Sequence, residues 1–282
     1  MSTSEVKSQR YAFKSECDLV LERYARRDPA RETALYTLLN PVWRCYFYER
    51  HREALDFIGS AKVGPVEHLR VLDVGCGDGA DLLMLLAAGF RAENLVGIDL
   101  RREMIARARS RLPGAARVYV GDAESLPIEA GSFDVVMQWT VFTSLLDGCF
   151  QERLAARMWS WLSPGGAVLW YDFVYNNPNN RDVRGVPLRR VFKLFPEGKF
   201  KVKRVTLAPP IARLAVRIHP SLYGFLNALA FLRTHILCWI EKTAVPNQLG
   251  KMAGAAKGRN YERQQMEAQD ERAGYLKERP KC

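Results

Sequence analysis

From Leu69 onward the chain alternates short, nearly continuous apolar runs with helical stretches, and this rhythm constrains the fold more than any other feature. The runs at 69–74 (LRVLDV), 94–99 (NLVGID), 117–120 (RVYV), 133–138 (FDVVMQ) and 166–172 (GAVLWYD) read as strands. Stretches near 80–88, 102–112 and 148–162 between them read as helices. Strands without a polar face are buried on both sides, which calls for a parallel sheet covered by helices on each face. The expectation is a doubly wound α/β domain. Its composition, 48% hydrophobic and 26% charged, excludes wholesale disorder.

The first strand gives way to the first helix through Val71-Leu72-Asp73-Val74-Gly75-Cys76-Gly77-Asp78-Gly79. Glycines at 75, 77 and 79 let the backbone turn tightly and approach a ligand, and the helix start beyond them offers free N–H groups. With Ala80 the string also satisfies the dinucleotide pattern G-x-G-x-x-G/A, so alone it leaves the nucleotide cofactor open. Three further features favour a cofactor with a cationic head. Asp99 closes the second strand, where a carboxylate accepts ribose hydroxyls. Gly121-Asp122-Ala123-Glu124 ends the third, followed by Leu126-Pro127 and the fourth strand. Asp73, two residues before the first glycine, is placed to receive an ammonium rather than a pyrophosphate.

These motifs, in this order over roughly 69–172, resemble the class I S-adenosylmethionine-dependent methyltransferases. The resemblance implies a Rossmann-like seven-stranded sheet of order 3-2-1-4-5-7-6 with the last strand antiparallel; residues 200–207 and 235–242 suit strands six and seven. It implies S-adenosyl-L-methionine as cofactor and S-adenosyl-L-homocysteine as product. Asp73, Gly75, Cys76, Gly77 and Gly79 would hold its methionine part. Asp99 with Leu100 would hold the ribose, Asp122 and Ala123 the adenine, and Gln138 would lie near the methyl-donor end.

Around this domain, 69–242, the sequence places a helical cap at 1–68, with Asn40 as N-cap and Pro41 in the first turn of its main helix. A short helix is expected at 187–195. Residues 207–233, between the last two strands, read as a helical lid insertion, with Leu222, Phe225, Leu226, Leu229 and Leu232 at helical spacing. Residues 243–282 are polar and lack an apolar stripe, which reads as a mobile tail.

The methyl acceptor is less sharply written. Gln138-Trp139-Thr140-Val141-Phe142 replaces the D/N-P-P-Y/F string of base N-methylation, and no metal-ligand spacing is evident. Tyr171-Asp172-Phe173, Asn176-Asn177-Pro178 and Thr206-Leu207-Ala208-Pro209-Pro210 are similar to strings of a bacterial subgroup associated with saccharide and exopolysaccharide clusters. That points to O-methylation of a hydroxyl on a saccharide, small-molecule or lipid-linked acceptor. Asp172, at the carboxyl end of the fifth strand, is the leading candidate base, because ligands gather at that edge. His219 and His235 are alternatives, and loop capping is an equally good account of Asp172.

Net charge of +11 is unevenly spread: residues 173–241 carry 12 basic and 3 acidic groups. A localised excess predicts an anionic partner for that segment. The lid, flanked by Arg213, Arg217 and Arg233, is a candidate for an anionic membrane surface; packing of its leucines onto the protein is the competing reading. RNA methylation, a non-catalytic cofactor-binding peripheral membrane protein and a nicotinamide oxidoreductase stay open as alternatives. The polar N-terminus, the lack of an apolar run near the roughly 20 residues of a membrane span, and scattered cysteines at 17, 45, 76, 149, 238 and 282 suggest a cytoplasmic protein, with peripheral attachment to the inner face of the membrane as a further option.

Overall fold

The computed structural model describes residues 14–61 and 64–243. Three helices come first: α1 (Glu16–Ala25), α2 (Pro29–Leu35) and α3 (Pro41–Ser60). Ser15 and Asp18 form a reciprocal capping box on α1. Asn40 accepts from the Val42 and Trp43 amides, with Pro41 opening α3, as its sequence position predicts. The alternating part follows as β1 (Val71–Val74), α4 (Ala80–Ala87), β2 (Leu95–Asp99), α5 (Arg102–Arg111), β3 (Arg117–Val120), β4 (Phe133–Trp139), α6 (Gly148–Trp161) and β5 (Leu162–Phe173). After α7 (Leu188–Leu194) come β6 (Lys199–Leu207), α8 (Pro209–Ile218), α9 (Ser221–Asn227) and β7 (Arg233–Glu241).

The strands form one sheet in the order β3-β2-β1-β4-β5-β7-β6, as the resemblance implied, with β7 antiparallel to both neighbours. Successive side chains enter two separate cores. Leu72, Val74, Val136, Val168 and Trp170 pack with Met158 and Trp161 of α6. Val71, Val135, Leu169, Leu237 and Trp239 pack with Leu82 of α4 and Ala54 and Ile58 of α3. Burial on both faces is why these strands read as unbroken apolar runs.

The segment between β6 and β7, expected as a helical lid over 207–233 with Leu222 to Leu232 at helical spacing, holds two short helices. Pro209 and Pro210 end β6 and at once open α8, where proline costs no hydrogen bond. The later helix, α9, stops at Asn227. Of the five residues spaced for burial, Leu226 and Leu232 pack against a small third core of Leu207, Ala212, Val216 and Tyr223, whereas Phe225 and Leu229 are exposed. The 243–282 tail, apart from its first residue, lies outside the described residues.

A buried carboxylate ties this insertion down. Glu49 of α3 accepts from the Thr206 amide at 3.0 Å, the Tyr223 hydroxyl at 2.5 Å and the Asn227 side-chain amide at 2.7 Å. One residue thus joins α3, the end of β6 and α9. Thr206 holds a φ of +64°, unusual for a β-branched residue, and its amide bonds Glu49 in that conformation. Replacing Glu49 by Ala leaves the Thr206 amide, the Tyr223 hydroxyl and the Asn227 side-chain amide without this acceptor. The expected loss is about 1–3 kcal/mol, read as a lower urea midpoint. An unchanged midpoint would show that Glu49 anchors nothing.

Candidate active site

The glycine turn leaves β1 at the carboxyl edge of the sheet. The amides of Gly75 and Cys76 both donate to the carbonyl of Ile98, at 2.7 and 2.9 Å, so the turn is pinned to the end of β2. Gly75 has a φ of +76°, and a Cβ there would meet Val141 Cγ2 at 2.4 Å; no side chain fits. Asp99, the next residue of β2, accepts from the Gly77 amide at 2.9 Å and from the Arg101 amide at 2.8 Å. The Arg101 Nε donates to the same carboxylate at 3.4 Å, and since a carboxylate has about four acceptor sites, one lone pair remains for a ligand hydroxyl.

A cavity of about 190 Å³ opens beside this turn. Of the residues chosen from sequence, Gly75, Asp99, Leu100, Asp122 and Ala123 line it together. Asp122 closes its own turn by accepting from the Glu124 amide and the Ser125 hydroxyl. Gly77 and Gly79 shape the turn from behind, and Cys76 points into the core. Burial pushes the Cys76 thiol far up, so it stays protonated.

Gln138 is fully buried behind the wall. Its Oε1 accepts from the amide of Val141, a lining residue, at 2.9 Å, and its Nε2 donates to Asp172 at 3.2 Å. Asp172 is likewise fully buried, does not line the cavity and leaves Oδ1 without a partner. Burial raises its pKa to about 7, against the hydrogen bond from Gln138. His219 is exposed between α8 and α9, where its Nδ1 accepts from the Ser221 amide. His235 stacks on Tyr171, with ring centroids 5.0 Å apart, and burial lowers its pKa to about 3, leaving it neutral. The structure therefore brings Gly75, Asp99, Leu100, Asp122 and Ala123 together at the cavity and leaves Asp73, Cys76, Gly77, Gly79, Gln138, Asp172 and His219 off its lining.

Asp73, like Asp172, is fully buried and does not line the cavity, and neither of its carboxylate oxygens is hydrogen-bonded. Burial, then Asp81 and Asp99, push its pKa well above the usual carboxylate range, while Arg50 pulls the other way. Arg50 itself bonds Asp81 at 2.6 Å, and His51 bonds the same oxygen at 2.7 Å. The Arg50 guanidinium carbon also lies 4.9 Å from the ring centre of Trp139, which lines the cavity. An orphaned carboxylate beside the glycine turn is what a ligand ammonium would satisfy. With Asp99 and Asp122 at the strand ends, these residues fit S-adenosylmethionine.

The far wall comes from elements the motif reading left out. Cys17, Val20 and Tyr24, at i, i+3 and i+7 on α1, line the cavity opposite the strand ends. That spacing is the one sequence signal that could have found them. Two contacts dock α1. Glu16 accepts from the Leu146 amide at 2.7 Å, and Arg23 donates to Ser144 O at 2.9 Å and to Glu16 at 2.6 Å. Trp139, Thr140 and Val141 complete the wall after β4, with Phe150 and Leu154 from α6. Burial and the neighbouring Asp122 push the Cys17 thiol up to about 12, so it too is neutral.

Residues 71–166, the span of this turn and sheet edge, match the methyltransferase domain family. Trans-aconitate 2-methyltransferase of Afipia carboxidovorans is 31% identical over 176 residues, 62% of this chain and 61% of that protein. Phthiotriol/phenolphthiotriol dimycocerosates methyltransferase 1 of Mycobacterium ulcerans is 35% identical over 132 residues, 43% of this chain and 45% of that one. The chain thus spans less than two thirds of these curated relatives. A solved S-adenosylmethionine-dependent methyltransferase of Thermotoga maritima, described as a possible histamine N-methyltransferase, shares the fold. It has a TM-score of 0.53 at 18% identity, covering 79% of this chain and 99% of that one.

Two outcomes test this site. Asp99→Ala should weaken S-adenosylhomocysteine binding about 10- to 100-fold in calorimetry, since hydrogen bonds to a charged group are worth about 1.5–3 kcal/mol. Unchanged affinity would remove Asp99 from the site. Asp172 binds its proton more tightly when folded, so ionising it costs stability as pH rises from about 4 to about 7, by up to about 4 kcal/mol. Asp172→Asn should therefore exceed the wild type in urea midpoint at pH 8 by far more than at pH 5. An equal gap at both would contradict the raised pKa.

Proposed function

We propose that the chain is an S-adenosylmethionine-dependent methyltransferase directed to oxygen, acting on a hydroxyl of a saccharide or other small acceptor, lipid-linked acceptors included. The observation that carries the donor half is the cavity that Gly75 of the glycine turn, Asp99, Leu100, Asp122 and Ala123 line together. The sulfonium of the bound cofactor supplies an electrophilic methyl group. The chain's own work is alignment, which can contribute up to about 7–11 kcal/mol when the reacting atoms are held in line.

Support for the acceptor half comes from the edge beyond β4 and β5. Trp139 on the cavity wall packs on Tyr171 at 5.5 Å, and Tyr171 stacks on His235, so an aromatic row leads from the cavity along the sheet edge. Tyr175, Asn176 and Asn177 follow β5 at the same edge and are exposed. Part of their polar capacity is spent locally: Tyr175 accepts from Arg204, Asn176 from the Gly185 amide and Asn177 from the Asn179 amide. Their remaining donors suit a polyol. Asp172 enters as a positioning residue. Its carboxylate holds Gln138, which holds the Val141 amide and so the turn that carries Thr140.

The deciding experiment incubates the enzyme and methyl-tritiated cofactor with saccharide, glycolipid and RNA fractions. Label in saccharide or glycolipid that survives mild alkali marks a methyl ether and supports the reading. Alkali-labile label, the mark of a methyl ester on a carboxylate, would overturn O-methylation of a hydroxyl. Nuclease-sensitive label would replace it with RNA methylation. Tight S-adenosylhomocysteine binding with no transfer to any fraction would leave a non-catalytic binding protein.

A further inference from the structure

The insertion between β6 and β7 has an inner face that the protein uses and an outer face that no described residue covers. On α8, Ala212, Ala215 and Val216 are buried, while Arg213, Leu214, Arg217 and Ile218 are exposed. On α9, Tyr223 and Asn227 are buried and Phe225 is exposed. Both inner faces rest on the same small core, which also takes Val42, Cys45 and Tyr46 from α3. Their outer faces therefore lie on the far side of one layer. There Leu214 is 62% exposed, Ile218 66% and Phe225 71%, and Phe231, in the turn between α9 and β7, is 76% exposed. Single exposed apolar side chains are ordinary, but a cluster of large ones within so short a segment marks an interaction surface.

Charge indicates what that surface meets. From Gly198 to Ile240 there is no Asp or Glu, against seven Lys and Arg residues. Several of the seven have structural work. Lys201 and Lys203 are on β6, the sheet's edge strand, where lysine discourages strand pairing between molecules, and Lys203 also pairs with Glu53. Arg233 donates to the carbonyls of Asn227 and Arg204. Arg213 and Arg217 form no ion pair with a described residue, and they alternate with Leu214 and Ile218 on the same helical face. A surface that is anionic outside and apolar a few ångströms further in matches that alternation.

We propose that the outer face of α8, α9 and the Phe231 turn docks the protein onto an anionic phospholipid bilayer. The helices lie on the surface; no described helix is long and apolar enough to cross a membrane. The topology gives docking a direction. β6 runs parallel to β4 and β5, so its carboxyl end, where α8 begins, is at the sheet edge that carries the cavity. Docking brings that edge to the lipid surface. The inference stands apart from the nature of the acceptor.

Sedimentation of the full chain with vesicles tests it without any turnover. Vesicles of phosphatidylcholine alone are compared with an equal mixture of phosphatidylcholine and phosphatidylglycerol, at low and at high salt. The expected result is binding to the anionic vesicles at low salt, lowered about tenfold by Arg213→Gln/Arg217→Gln and comparably by Phe225→Ser/Phe231→Ser. Both variants should keep the wild-type thermal midpoint and S-adenosylhomocysteine affinity. No sedimentation of the wild type overturns the proposal. Sedimentation that neither variant reduces overturns it as well, because lipid would then be held elsewhere on the chain. Light scattering that shows a dimer dissolved by Phe225→Ser/Phe231→Ser assigns the face to a second copy instead.

Discussion

The amides of Gly75 and Cys76 share the carbonyl of Ile98, and this clasp sets the position of nearly everything that follows. It holds the turn after β1 against the end of β2, so that Asp99 can take the Gly77 amide and still face the cavity. Backbone donors and an acidic strand end become one rigid unit. Because Gly75 lies against Val141, the same close approach also locates the turn after β4. Asp73 bears the cost: a carboxylate with no hydrogen-bond partner persists only where a neighbouring cation or a ligand offsets it. Arg50, itself tied to Asp81 beneath Trp139, supplies part of that compensation.

Tyr171 links this site to the helical insertion. The Thr140 amide donates to the Tyr171 carbonyl at 2.8 Å, and the Tyr171 hydroxyl pairs with the Thr206 hydroxyl at 2.8 Å. Thr140 and Thr206 are the two non-glycine residues with positive φ among the described residues, at +58° and +64°. Both are β-branched, for which this conformation is costly and survives where surrounding bonds impose it. One follows β4 on the cavity wall; the other nears the end of β6, where Glu49 takes its amide. The strained pair thus sits at the junction between the methyl-donor cavity and the insertion whose outer face is argued to meet lipid. Glu49, Thr206, Tyr171 and Thr140 are joined in that order by hydrogen bonds that run from α3 to the cavity wall.

Much of this was legible in the residues themselves. The apolar runs announce a parallel sheet because burial on both faces leaves no room for polar alternation. The glycine string and the acidic ends of β2 and β3 announce a nucleoside-like ligand because few other residues can fill those positions. Gly75, Asp99, Leu100, Asp122 and Ala123 were found from sequence and share one cavity. The site roles assigned to Asp172 and His219 rested on chain position alone, and chain position does not report burial. Asp172 is the last polar residue of an otherwise apolar run, and nothing local tells a carboxylate at a strand end from one sealed behind a glutamine.

The sequence alone determined the strand rhythm, the turn and the acidic strand ends, because these depend on interactions among residues close along the chain or on the steric needs of one backbone position. Tertiary structure alone decided that α1 closes the cavity, since Glu16 reaches Leu146 and Arg23 reaches Ser144 across more than a hundred residues. It also decided which side of α8 and α9 faces inward. A proline pair that both ends a strand and starts a helix leaves the direction of that helix to whatever surface it lands on. Here that surface is α3 and the end of β6, and the arginines and large apolar side chains are left facing outward.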